Sequence, residues 1–71
     1  MVLMETEVYD TVRVETLEEG DRVQIAGYDG VVTGVVDMGS HIILSWYNED
    51  TDDDEEDSMW AGSMVDLIRY I

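Results

Sequence analysis

The sequence predicts an all-β domain, and three observations carry that expectation. Short segments alternate apolar and polar residues with period two, turn residues separate them at intervals of roughly 8–12 positions, and the alternating positions are rich in valine and isoleucine. Seventy-one residues allow one domain, residues 1–71, and a small one. A chain of this length buries only about 60% of the surface it exposes when unfolded, so the core is thin. Closure into a small barrel is the cheapest way to remove exposed sheet edges, and five or six strands are expected.

The segment 8–14 puts Val8, Val12 and Val14 on one side and Tyr9, Thr11 and Arg13 on the other, with Asp10 the charged exception among the valines. Glu18-Glu19-Gly20-Asp21 reads as a turn, because glycine reaches backbone angles that other residues resist. Residues 22–26 alternate again, with Val23 and Ile25 inward, and Gly27-Tyr28-Asp29-Gly30 is expected to turn the chain. Residues 31–36 are β-branched on both faces, and Gly34 among them predicts a bulge or a sharp bend. After a turn at 37–40, residues 41–47 form the clearest strand, with Ile42, Leu44 and Trp46 on one face. Residues 58–61 read as the returning strand of a hairpin. Ser63 and Asp66 have the spacing of a helix-capping pair, so one short helical turn is expected before a last strand at 67–71. A continuous helix over 63–71 competes with that reading, and the β-branched and aromatic content favours the strand.

Charge separates this chain from most small domains. Eighteen Asp and Glu stand against three arginines, Arg13, Arg22 and Arg69, for a net charge of −15, and there is no Lys, Pro, Phe or Cys. Such a surface repels nucleic acid and anionic lipid and steers basic proteins towards itself. In the run Glu49-Asp50-Thr51-Asp52-Asp53-Asp54-Glu55-Glu56-Asp57, eight of nine residues are carboxylates, so 49–57 is expected to be a mobile, solvated acidic loop. The absence of cysteine leans towards a reducing, cytoplasmic setting. The opening Met1-Val2-Leu3-Met4 is short for a signal peptide and lacks a basic flank, and no apolar run approaches the roughly 20 residues that cross a bilayer.

From Leu17 to Ile25 the chain reads LEEGDRVQI, and from Tyr28 to Val36 it reads YDGVVTGVV. A turn of the form EGDRV leading into a strand, followed by a glycine-punctuated valine strand, resembles the SH3-like small barrel and locally its KOW motif. The resemblance extends over about residues 8–71. It implies a compact five-stranded barrel used as a binding platform for peptides, proteins or nucleic acid, and it does not imply an enzyme. The basic residues that KOW-type modules present to RNA are missing here and the glycine spacing differs, so direct nucleic-acid binding is not expected. The short, lysine-free chain is also similar to small accessory proteins of bacteriophages and of halophilic archaea.

Candidate chemistry is sparse. His41 is the lone histidine and Ser40 beside it has no sequence context of an activated nucleophile, so no catalytic residue and no cofactor is expected. Asp50, Asp52 and Asp54 match the first three positions of a calcium loop, but Glu55 replaces the turn glycine and Ala61 the closing glutamate, so no structural metal site is expected. Tyr28, Trp46, Tyr47 and Trp60, with acids nearby, could cage a basic side chain, although Trp46 alternates with Leu44 and Ile42 and belongs to the core. Trp60 is out of phase with Met59 and Ala61 and is expected at the surface. The candidate partner-binding residues are therefore Glu49, Asp50, Asp52, Asp53, Asp54, Glu55, Glu56, Asp57, Tyr28, Tyr47 and Trp60. The expected function is an acidic, non-enzymatic binding module for a basic protein surface, in one form a nucleic-acid mimic that inhibits a nucleic-acid-binding protein. An assembly or virion subunit that self-associates through sheet edges is the alternative, and a salt-adapted module whose charge serves solvation alone is a third.

Overall fold

A computed structural model describes residues 6–71. The opening Met1–Met4 considered above lies outside the described residues. Six antiparallel strands form one sheet: β1 (Glu7–Arg13), β2 (Arg22–Ile25), β3 (Tyr28–Asp37), β4 (His41–Asn48), β5 (Asp53–Trp60) and β6 (Met64–Tyr70). Their order across the sheet is β1-β6-β2-β3-β4-β5. The all-β class is as the alternation predicts, and six is the larger of the two strand counts expected.

The period-two reading works best where one face is apolar. In β4, Ile42, Leu44, Trp46 and Asn48 are buried while the residues between them are half-buried. Ile42, Leu44 and Trp46 make the hydrophobic core with Val14, Leu17, Val23, Val32 and Val65, against which Val12, Ile25, Val35, Met59 and Leu67 pack. Gly34 does sit at a break in register: Val32 faces Trp46 and Gly34 faces Ser45, so Thr33 is the extra residue of a bulge.

Several local expectations are corrected. The hairpin turn between β2 and β3 is Ala26-Gly27, both at positive φ (53° and 85°), and Tyr28, Asp29 and Gly30 are already strand. Two successive positive φ angles match the right-handed twist of the flanking strands, which is why so short a turn suffices. The helical turn expected at 63–66 is not there. Met64–Asp66 are extended, because β6 lies between β1 and β2 and pairs with both, and ladder bonds on two sides outweigh a local capping pattern. The 3₁₀ turn is instead Val14–Thr16, directly after β1, and it carries buried Val14 into the core.

The largest correction concerns the acidic run. Only Glu49–Asp52 form the turn; Asp53–Asp57 belong to β5 and pair residue by residue with β4, from Asn48↔Asp53 to His41↔Trp60, without a register shift. The turn is held by Asn48, which is 2% exposed and whose Oδ1 accepts the N–H groups of Asp50 (3.0 Å) and Thr51 (3.2 Å). Fixing that turn fixes the register of the strand behind it, whatever the strand's own propensity.

The sheet curls until Met59 of β5 lines a cleft with Gln24, Ile25, Met64 and Val65. No backbone pairing among the described residues joins β5 to β1, so the curl stops short of a hydrogen-bonded barrel. On β5 the positions that face the core side are Glu55 and Asp57, opposite Trp46 and Leu44, and full closure would strip water from both carboxylates. At the other end of the sheet, Arg22 is a tie between elements: its guanidinium donates to the Tyr70 hydroxyl and to Glu49 (3.3 Å), and Tyr70 donates to Glu7 (3.0 Å). Burial pushes the Arg22 guanidinium down, but Glu49, Tyr70 and Glu7 outweigh it and hold its pKa above the ordinary value.

Candidate functional site

The carboxylates of the β4–β5 hairpin divide into three sets. Glu49, Asp50 and Asp52 lie in the turn, and two of them have structural partners: Glu49 receives Arg22, and Asp50 Oδ2 accepts the Asp29 N–H at 2.9 Å. Asp54 and Glu56 share the outer face of the sheet with Tyr47 and Ser45, their cross-strand neighbours. Asp53, Glu55 and Asp57 share the core-side face with Asn48, Trp46 and Leu44. Among the described residues the ion pairs are Arg13–Glu15, Arg22–Glu7, Arg22–Glu49 and Arg69–Asp10, so none reaches β5. The three arginines are engaged elsewhere, and five successive carboxylates of one strand stand without a countercharge among the described residues.

The four candidate aromatic residues, Tyr28, Trp46, Tyr47 and Trp60, do not assemble into one cage. Tyr28 and Trp46 line a notch of about 170 Å³ together with Asn48, Glu55 and Asp57. Trp46 itself is 3% exposed, as core packing requires, and its indole N–H donates to Asp57 Oδ2 at 2.7 Å. Tyr47 points to the opposite face, between Val31 and Asp54. Trp60, 75% exposed, sits opposite His41 at the far end of β5 and lines a second cleft with Ser58, Met59 and Ser63. Alternation separates Trp46 from Tyr47, and the length of β5 separates Trp60 from both. On the outer face Trp60 has His41 opposite it and Ser58 two residues back; Val36 and Met38 are also exposed, and Ile43 pairs with Val36.

The remaining candidates resolve simply. The His41 ring lies 3.3 Å from Ser40 Oγ, a contact between neighbours at the start of β4. Asp50 and Asp52 are in the turn and Asp54 is in the strand, which pulls the calcium-like spacing apart; among the described residues no group of three His, Asp or Glu is arranged to hold a metal ion. No helix among the described residues is long and apolar enough to cross a membrane.

Two residues important to the site carry weak sequence signals. Asn48 is the turn's organiser, and its position before an acidic turn was the clue, since Asn side chains bond to backbone N–H groups two and three residues on. Glu15 Oε2 accepts the Gly62 N–H at 2.9 Å and so fastens the turn between β5 and β6. That bond is the main reason the Glu15 carboxyl is held below its ordinary value. The structure thus defines a class: a six-stranded antiparallel β module whose terminal strand is an uncompensated acidic edge. Comparison with protein-family models, curated proteins and solved structures gives no match to this chain.

Proposed function

We propose that this protein is a non-enzymatic acidic binding module that engages a basic surface on a partner protein, in one form by occupying that partner's nucleic-acid-binding site. The observation that carries the reading is the segregation of charge: the arginines are consumed in ion pairs away from β5, while Asp53–Asp57 meet no cation among the described residues. A fixed strand of like charge is a stronger feature than a floppy acidic loop, because its carboxylates have set positions to match against a basic surface. The notch between Tyr28 and Trp46 adds a place for one cationic head group, with Glu55 and Asp57 beside the rings. The strand order, with the last strand beside β2 and β3, β4 and β5 following in sequence, supports an SH3-like platform with β1 added at its edge.

The test is binding of a fluorescent polylysine probe at low and high salt, about 50 and 500 mM. The expected result is salt-sensitive binding that duplex DNA competes away from the probe, and that weakens far more in D54N/E56Q than in E18Q/E19Q, which removes the same charge elsewhere. Equal loss in both variants would reduce the effect to net charge and overturn the reading, as would direct capture of duplex DNA by the chain.

A second reading, an assembly subunit that self-associates through its sheet edges, is favoured by the exposure of Trp60, Met38 and Val36 and by the place of β1 at one edge of the sheet among the described residues. It predicts a discrete oligomer in light scattering at micromolar concentration; a monomer across that range removes it.

A further inference from the structure

The free side of β5 can be read bond by bond. The Ala61 N–H donates to the Ser40 carbonyl at 3.0 Å, which makes Ser40 and Ala61 a hydrogen-bonded pair in the β4–β5 register. Hydrogen-bonded and non-bonded pairs alternate along an antiparallel ladder. Ile42↔Met59, Leu44↔Asp57 and Trp46↔Glu55 are therefore bonded pairs, and Ser58, Glu56 and Asp54 turn their N–H and C=O groups away from β4. No strand among the described residues lies on that side, and all three residues are exposed.

Edges of this kind are ordinarily blunted by brevity, proline, a bulge, lysine, or a covering loop. β5 is eight residues long, regular and free of proline, and its protection is charge of a single sign. That protection is selective. A second copy of β5 laid alongside would set carboxylates against carboxylates, and like charges directly opposite are destabilising. A strand carrying cations meets the reverse situation, with Asp54 and Glu56 on one face and Asp53, Glu55 and Asp57 on the other.

We infer that the free edge of β5 is a strand-addition site for an extended, basic segment of a partner protein, closed to a second copy of this chain by its own charge. This rests on the basic-partner reading and deepens it: the partner contributes a stretch of extended chain with lysine or arginine at alternate positions. Backbone hydrogen bonds to Asp54, Glu56 and Ser58 supply affinity, and the alternate cations supply selection, the division of labour of β-augmentation.

The test uses two eight-residue probes of alternating lysine and valine, one ordinary and one with every backbone nitrogen methylated. The charge is the same, but only the first can extend a sheet. Amide exchange and chemical shifts are followed by NMR on the full chain at low salt. The expected result is slowed exchange at the Asp54, Glu56 and Ser58 amides with the ordinary probe, and binding about tenfold or more weaker with the methylated one. Equal binding of both probes, with those three amides unprotected, overturns the edge site and leaves the basic-partner reading standing. Failure of both probes to bind overturns the two together. Protection of the same amides that rises with protein concentration in the absence of any probe would show a second copy on the edge and also overturn the inference.

Discussion

The indole N–H of Trp46 and the carboxylate of Asp57 meet at 2.7 Å, diagonally across the β4–β5 ladder. A core tryptophan is thereby satisfied by a residue of the acidic strand. The contact gives Asp57 a structural duty that its neighbours Asp54 and Glu56, on the opposite face, do not share.

Replacing Asp57 should separate that duty from its charge. Asp57→Asn keeps an acceptor for the indole, whereas Asp57→Leu leaves a nearly buried N–H without one. We expect the leucine variant to be less stable than the asparagine variant by about 1–3 kcal/mol, measured as a shift of the urea midpoint. Equal midpoints would show that the hydrogen bond contributes nothing.

The two glycines of β3 should respond very unequally to alanine. A Cβ on Gly30 would fall 2.4 Å from Trp46 Cε3 and 2.5 Å from the Tyr47 carbonyl oxygen, contacts that demand movement of ring and backbone together. At Gly34 the nearest atom to a new Cβ is 3.9 Å away. Gly30→Ala is expected to cost about 1–3 kcal/mol or more by urea unfolding, and Gly34→Ala less than about 1.

These glycines also mark where the sequence can and cannot be read. Gly34 announced its bulge, because a glycine inside a β-branched run has few other uses. Gly30, next to Asp29, looked like part of a turn, and its real role, clearance for Trp46, depends on a strand that pairs across the sheet. The true turn contains Ala26 at positive φ, a residue with no local signature for that conformation. Alternation revealed β4 and sorted Trp46 inward from Trp60 outward, since one face there is apolar and the other is not. It could not reveal the first half of β5. Period two needs contrast between faces, and in Asp53–Asp57 both faces carry carboxylates. That stretch is a strand through the register imposed by Asn48 and β4, and no window confined to 49–57 contains the information. The candidate site was legible as a composition and illegible as a geometry.

Acid should expose the role of Glu15. Its carboxyl is held below its ordinary value of 4.5 chiefly by the Gly62 N–H, so the folded state favours the ionised form. The resulting stabilisation is present in full above the ordinary value and is lost as pH falls through the lowered, folded one. Glu15→Gln should therefore be less stable than the parent at neutral pH by an amount that stays constant down to about pH 4.5 and shrinks below it. Urea unfolding of both proteins across that range supplies the comparison. A difference independent of pH would assign the effect to shape instead of charge.

Salt should stabilise the molecule through β5. Five adjacent carboxylates without a countercharge repel one another in the folded sheet, and ions screen that repulsion. The melting temperature is expected to rise between about 0.05 and 1 M sodium chloride, and the rise should be smaller in D54N/E56Q than in E18Q/E19Q. Thermal melts followed by circular dichroism decide this, and identical increments in the two variants would spread the repulsion over the whole surface.

The pairing of β1 with β6 has a kinetic consequence. Strands β2 to β5 each pair with their chain neighbours across short turns, but Glu7 meets Tyr70 across a separation of 63 residues. Closing so large a loop is entropically slow compared with zipping a hairpin. The meander bearing the negative ribbon can therefore assemble while both chain ends are still searching, and the seam from Glu7–Tyr70 to Arg13–Met64 is the door that shuts last.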